Sequence, residues 1–208
     1  QPARDRRRPA AEPVQERVGW GRVSAVTDGP RIAPLAPEER DARVAALLET
    51  LRPHPDGEDM HLFATLAHHP RLLRRWSQFG GVLLFGGALP ARDREILILR
   101  TAANCGADYE WGHHLVIGRL AGLSDDDMAA LADPAPAVVE ADALLVRAAD
   151  ELHVDNVLSD ATWAALADRY DTEQLIEIPM VVGQYHLVAF TLRSLGVERE
   201  PGYEGLPS

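Results

Sequence analysis

The 208-residue sequence predicts an all-α protein, a multi-helix bundle built as one domain. Three observations carry that expectation. Apolar residues recur at helical spacing along most of the chain, helix start and stop signals punctuate it, and no alternating strand pattern of useful length is present.

Taken in order, residues 1–30 are rich in Pro, Arg, Gly and Glu without periodicity and read as an extended arm, suited to draping over a neighbouring subunit. Pro37-Glu38-Glu39 marks a helix start with acids in its first turn, and Val44, Leu47, Leu48 and Leu51 follow at helical spacing up to the break at 53–57. A short helix over 61–68 sets Leu62, Phe63 and Leu66 on its apolar side. Pro70 suits a first helical turn and opens a helix carrying Leu72, Leu73, Trp76 and Phe79. In it Gly80-Gly81 reads as a weak point and Gly86-Gly87 as a turn. Pro90 opens a strong helix over 90–104 with Ile96, Leu97 and Leu99 expected to be buried. After a break near Gly106, another helix spans 108–120 and stops at Gly122. Ser124 and Asp127 form a capping box for 125–132, and Pro134 and Pro136 make a hinge. Helices follow at 137–153, 160–169 with Ser159 as cap, and 172–195 with Thr172 as cap; Pro179 and Gly183 predict a kink in the last. Residues 31–200 thus read as a single helical domain and 201–208 as a C-terminal tail.

Composition excludes several chemistries. All 21 cationic residues are arginine, so no lysine is available for a Schiff base, a pyridoxal-phosphate aldimine or a Walker-type phosphate loop. The net charge of −11 argues against nucleic acid as a partner, the basic run Arg4–Arg8 being a local exception that reads as a solvated tail. No stretch approaches the roughly 18 consecutive apolar residues of a membrane helix, and no apolar segment follows the basic run as a secretory signal would require. Cys105 is a single cysteine, with no CxxC and no Cys/His zinc spacing around it. The expectation is a cytoplasmic protein with no disulfide, no metal and no cofactor.

The densest chemistry lies in Asp108-Tyr109-Glu110-Trp111-Gly112-His113-His114. On a helix Glu110 and His114 share a face, so the carboxylate can orient and tune the imidazole; Tyr109 and His113 lie on the next stripe. Spacing alone leaves open that all four are helix-surface polar residues. Glu95 sits among apolar neighbours and needs a partner, for which Arg100 or Arg92 is at hand; an ion pair tying two helices together is the plain reading. Glu58-x-x-His61 and Glu110-x-x-His113 also match the spacing of di-iron carboxylate bundles, but the two further glutamates are only loosely available in Glu95 and Glu177.

The stretch from Pro90 to Arg100, then Cys105 to His114, then Gly118 to Gly122 resembles the core motif of the carboxymuconolactone decarboxylase and alkylhydroperoxidase-D superfamily. Phe79-Gly80-Gly81, Leu84-Phe85-Gly86-Gly87 and Val182-Gly183-Gln184-Tyr185-His186 are similar to its longer decarboxylase-like members. The resemblance implies the all-helical fold of that superfamily, a homo-oligomer between dimer and hexamer, and a glutamate and a histidine of the core motif at Glu95 and His114. The peroxidase branch carries a CxxC just before the histidine, and those positions hold Ala107 and Glu110 here. A dithiol cycle needs two thiols, so the alkylhydroperoxidase-like antioxidant reading is disfavoured.

The cysteine-free branch implies acid–base catalysis without a cofactor: a decarboxylase, lyase or isomerase acting on a small carboxylated molecule such as an unsaturated lactone acid or a natural-product intermediate. In that reading His114, Glu95, Glu110 and Tyr109 are catalytic. Arg100, His113, Trp111, Trp76, Phe79, Tyr185 and His186 contact substrate. The rival class is a non-catalytic helical scaffold or binding protein, and a pocket decides between them: a cleft at Glu95 and His114 favours an enzyme, a sealed salt bridge a scaffold.

Overall fold

The computed structural model describes residues 29–52, 57–133, 135–138 and 140–207. The expected arm at 1–30 lies almost wholly outside them. Among the described residues there are nine α-helices and no strand: α1 Ala42–Glu49, α2 His61–Leu66, α3 Pro70–Phe85, α4 Ala91–Cys105, α5 Asp108–Leu120, α6 Asp125–Ala132, α7 Glu140–Val154, α8 Asp160–Ala167 and α9 Thr172–Leu195.

Local chemistry explains where most of them begin and end. Pro37–Glu39 forms only a single 3₁₀ turn. The helix itself waits for Asp41, whose carboxylate accepts from the Arg43 and Val44 N–H groups. Ser124 and Asp127 close the expected capping box on α6, and Ser159 caps α8. For α9 the cap is Asp171 rather than Thr172, because the Asp171 side chain accepts from the Gln174 N–H while Gln174 reaches back to the Asp171 N–H. Gly80-Gly81 does not interrupt α3, which runs unbroken to Gly86. Gly122, at φ 92, supplies the left-handed turn that ends α5.

α4 is the central helix, in contact with α5, α6, α7 and α9. Its residues Glu95 to Ala102 are all buried, and Ile96 to Leu99 are wholly inaccessible. The main core gathers these with Trp111, Leu145, Ile178, Val182 and Tyr185. A second cluster under α1 to α3 holds Val44, Leu48 and Leu73; a third holds Leu62, Tyr109, Val188 and Leu192. α9 has the length and hydropathy of a membrane span, but it buries Ile178, Val181, Val182, Tyr185 and Ala189 in the main core. It is the partner of α4 in the middle of the protein.

Buried charges are tied off between helices. Arg100 donates from Nε and Nη2 to Asp150 on α7, at 2.6 and 2.9 Å, and from Nη1 to the carbonyls that end α6. Arg92 forks onto Asp142. Asp93 accepts from Tyr170 and Arg169. Glu177 of α9 accepts from the Ala88 and Leu89 N–H groups just before α4.

Candidate active site

Glu95 and His114 meet across the α4–α5 contact. His114 Nδ1 lies 2.7 Å from Glu95 Oε2, and the Glu95 side chain is fully buried. With the carboxylate accepting at Nδ1, the neutral imidazole keeps its lone pair on Nε2, the tautomer a general base needs. Arg94 Nε donates to the other oxygen, Glu95 Oε1, at 3.0 Å. Tyr185 of α9 presents its ring edge-on to His114, centroids 4.9 Å apart. The phenol is pushed well above its ordinary range, first by burial and then by the charge of Glu95, with Arg94 opposing; it stays a neutral hydroxyl.

Glu110 does not pair with His114 as the i, i+4 spacing suggests. Glu95 takes that place, and both Glu110 oxygens are buried without a hydrogen-bond partner among the described residues. Burial alone raises this carboxyl well above its usual range, so it is held as the neutral acid. Cys105, at the end of α4, is also buried, and burial is the main cause that pushes its thiol up to about 12, Arg193 opposing. A thiol so placed offers little thiolate at neutral pH.

Tyr109 and His113 belong to a different constellation. The Tyr109 hydroxyl donates to Glu200 Oε1 at 2.8 Å, and His113 Nε2 meets Glu200 Oε2 at 2.6 Å. The His113 ring is stacked between Tyr109 and Tyr203, with centroids 4.5 and 4.0 Å away. Burial would raise the Glu200 carboxyl, but the hydrogen bonds from His113, the His61 N–H and Tyr109 outweigh it and hold it at about 2. A cleft of about 440 Å³ opens here, lined by Asp108, Tyr109 and residues 197–203.

The remaining expected contacts scatter. Arg100 is engaged by Asp150 and the end of α6 rather than by Glu95. Trp111 is a core residue, 2% exposed. Trp76 packs on Phe63, and Phe79 is exposed on α3. His186 turns to His153 instead of His114. The di-iron pattern does not assemble: the His61 ring contacts the Glu198 carbonyl, His113 holds Glu200, and Glu110 stands apart without a partner. Two residues of consequence were missed. Arg94 was legible as the cation beside Glu95; Glu200, 87 residues from His113, left no local signal.

The arrangement supplies an oriented imidazole, a buried carboxylate behind it, a neutral carboxyl and a neutral phenol. Such a set moves protons. In the single chain the pair is closed over, His114 being 6% exposed.

Residues 70–151 match the model of the carboxymuconolactone decarboxylase family. No curated protein sequence matches the chain. Among solved structures, the chain is similar to an alkylhydroperoxidase AhpD-core, peroxidase-related protein of Ralstonia eutropha JMP134, with TM-score 0.70 and 16% identity over 82% of this chain and 93% of that one. A peroxidase-related protein of Silicibacter sp. TM1040 superposes with TM-score 0.72 and 12% identity over 86% and 97% of the two chains. The debrominase Bmp8, in complex with 2,3,4-tribromopyrrole, gives 0.62 and 14% over 82% and 91%. A match to the family model over α3 to α7 and a fold shared with AhpD-like proteins agree with the resemblance read from the motif.

Proposed function

We propose that the protein is a cofactor-independent acid–base enzyme, a lyase or isomerase acting on a small carboxylated organic molecule. The observation that carries this reading is the buried 2.7 Å hydrogen bond from His114 to Glu95, which leaves Nε2 as the working nitrogen. In this scheme His114 takes a proton from the substrate and the neutral Glu110 carboxyl returns one; return of the proton from the imidazolium to the Glu110 carboxylate then resets both groups. Arg94 is the natural contact for a substrate carboxylate. Only its Nε is engaged by Glu95, and it is the member of the cluster nearest to solvent, with a side chain 12% exposed. For decarboxylation, the electron pair of the breaking C–C bond passes into the conjugated carbonyl and Glu110 protonates the resulting carbon.

A rival reading, a helical scaffold in which Glu95 and His114 are a buried tie, is favoured by the closure of the pair in the single chain. The two separate in one experiment. Unsaturated lactone acids are followed by loss of ultraviolet absorbance and by CO₂ release, beside peroxide consumption with a dithiol. Glu95→Gln and His114→Asn are expected to lose about 10²-fold or more of turnover with helicity retained, and Arg94→Ala to raise KM. Full turnover in the first two variants removes the mechanism. No turnover of any acid by the wild type, with both variants only less stable, favours the scaffold. Peroxide consumption lost in Cys105→Ser would move the chemistry to the thiol.

A further inference from the structure

Three side chains distant in sequence meet where the ends of α4 and α7 pass α9. The donor atoms of Cys105, His153 and His186 all lie within 4.8 Å of one another. His153 Nδ1 is 2.9 Å from His186 Nε2, and His186 Nδ1 is 2.8 Å from the Val182 carbonyl. A carbonyl only accepts, so His186 carries its proton on Nδ1 and turns the Nε2 lone pair toward His153 and Cys105. A backbone carbonyl that fixes the far nitrogen of an imidazole is the usual outer support of a metal-bound histidine.

We propose that Cys105, His153 and His186 bind one zinc-class divalent cation, with a solvent molecule in the fourth position. Two imidazoles and a thiol are the donors that zinc prefers over hard cations such as calcium or magnesium, and three protein ligands leave a tetrahedron open. The metal geometry asks for small adjustments. Tetrahedral zinc holds two nitrogens about 3.3 Å apart and a nitrogen and sulfur about 3.5 Å apart, so the histidines open slightly and Cys105 moves in. Both rings reach solvent, which gives the cation a way in. Sequence spacing hid the site, because the ligands come from three helices.

The test uses the full chain stripped with a chelator and titrated with Co²⁺, then Zn²⁺ in competition. The expected result is one Co²⁺ per chain, with the ligand-field bands of a tetrahedral site and a thiolate charge-transfer band, displaced by Zn²⁺. Cys105→Ser should abolish the charge-transfer band, and His153→Gln and His186→Gln should each weaken binding about 10²-fold, with helicity retained in all three. Metal that binds without a thiolate band, binds equally well to the variants, or fails to saturate at one per chain overturns the proposal. If Cys105→Ser does not fold, the two histidine variants and the wild-type band decide alone.

Discussion

At Glu110 the carboxyl has lost water on both oxygens and gained no hydrogen bond in return, so its neutral form is the one the fold tolerates. The consequence for stability has a definite sign. In the unfolded chain this group ionises near its ordinary 4.5, whereas in the folded chain it stays protonated far above that. The folded state therefore binds more protons, and stability falls as pH rises past 4.5, by at most about 1.4 kcal/mol per pH unit. Glu110→Gln keeps the shape and removes the ionisation. Calorimetric melting should show the variant gaining on the wild type from pH 5 to pH 8; a variant equally destabilised at both would mean that the carboxylate is paired and ionised. The same residue shows the reach of local reasoning. Four-residue spacing put Glu110 on the face of His114, yet the imidazole went to Glu95, because a carboxylate on the facing helix sits at 2.7 Å. The Glu95–His114 pair was legible because both residues stand in one motif. Tyr185 of α9 covers the pair, and although the phrase at 182–186 carried part of the resemblance, nothing in it said that this ring packs edge-on to His114.

α5 has a polar strap laid across it. Its Gly112 lies against the backbone of Glu204 and the side chains of Arg199 and Tyr203, where an added Cβ would overlap them. Leu206 N–H donates to Asp108, Arg119 holds Glu204, and Glu200 accepts from Tyr109 and the His61 N–H. Residues 201–207 are thus docked, though they read as a tail. Gly112→Ala should push the strap off at a cost of about 1–3 kcal/mol and raise proteolytic cutting within 197–207; an unchanged digestion pattern would mean that the strap is not held there. Acid should release it too. Glu200, depressed to about 2 from an ordinary 4.5, contributes stability that is whole above 4.5 and is lost as pH falls toward 2. The contribution is of the order of 2–3 kcal/mol. Hydrogen exchange at residues 197–207 should rise over that window, and Glu200→Gln should flatten the rise. Helix ends were readable from sequence because caps act within four residues, as at Ser124 and Ser159. The strap was not, since its contacts join residues 85 to 139 apart.

At the scale of the molecule, α4 is buried from Glu95 to Ala102, while one face of α9 is left bare among the described residues. Ile176, Met180, Leu187 and Phe190 fall on one helical stripe and are exposed, Phe190 by 62%, while Val82 and Phe85 are exposed on α3, which α9 touches. That α9 is needed by the core was not apparent from its composition, which is apolar nearly all round; only the packing separates the side that meets α4 from the side left uncovered among the described residues. An apolar face beside so acidic a surface is not explained by folding, since those side chains contribute little to any core. A stripe that is self-complementary about a two-fold axis costs no new sequence, because the same residues serve both copies. We therefore propose that the self-association expected from the family resemblance uses this face, with α9 against α9 of a second copy. Sedimentation equilibrium should give a mass above that of one chain for the wild type. Leu187→Glu with Phe190→Glu, which burdens the stripe with charge while leaving Ile178, Val182 and Tyr185 in place, should return it to one. A wild type that sediments as a single chain, or a double variant that stays associated, would rule out this face as the contact. The outcome also bears on chemistry, because Tyr185, which touches His114, and His186 lie on the same helix. A copy docked on α9 would set the outer boundary of any route by which a substrate reaches the Glu95–His114 pair.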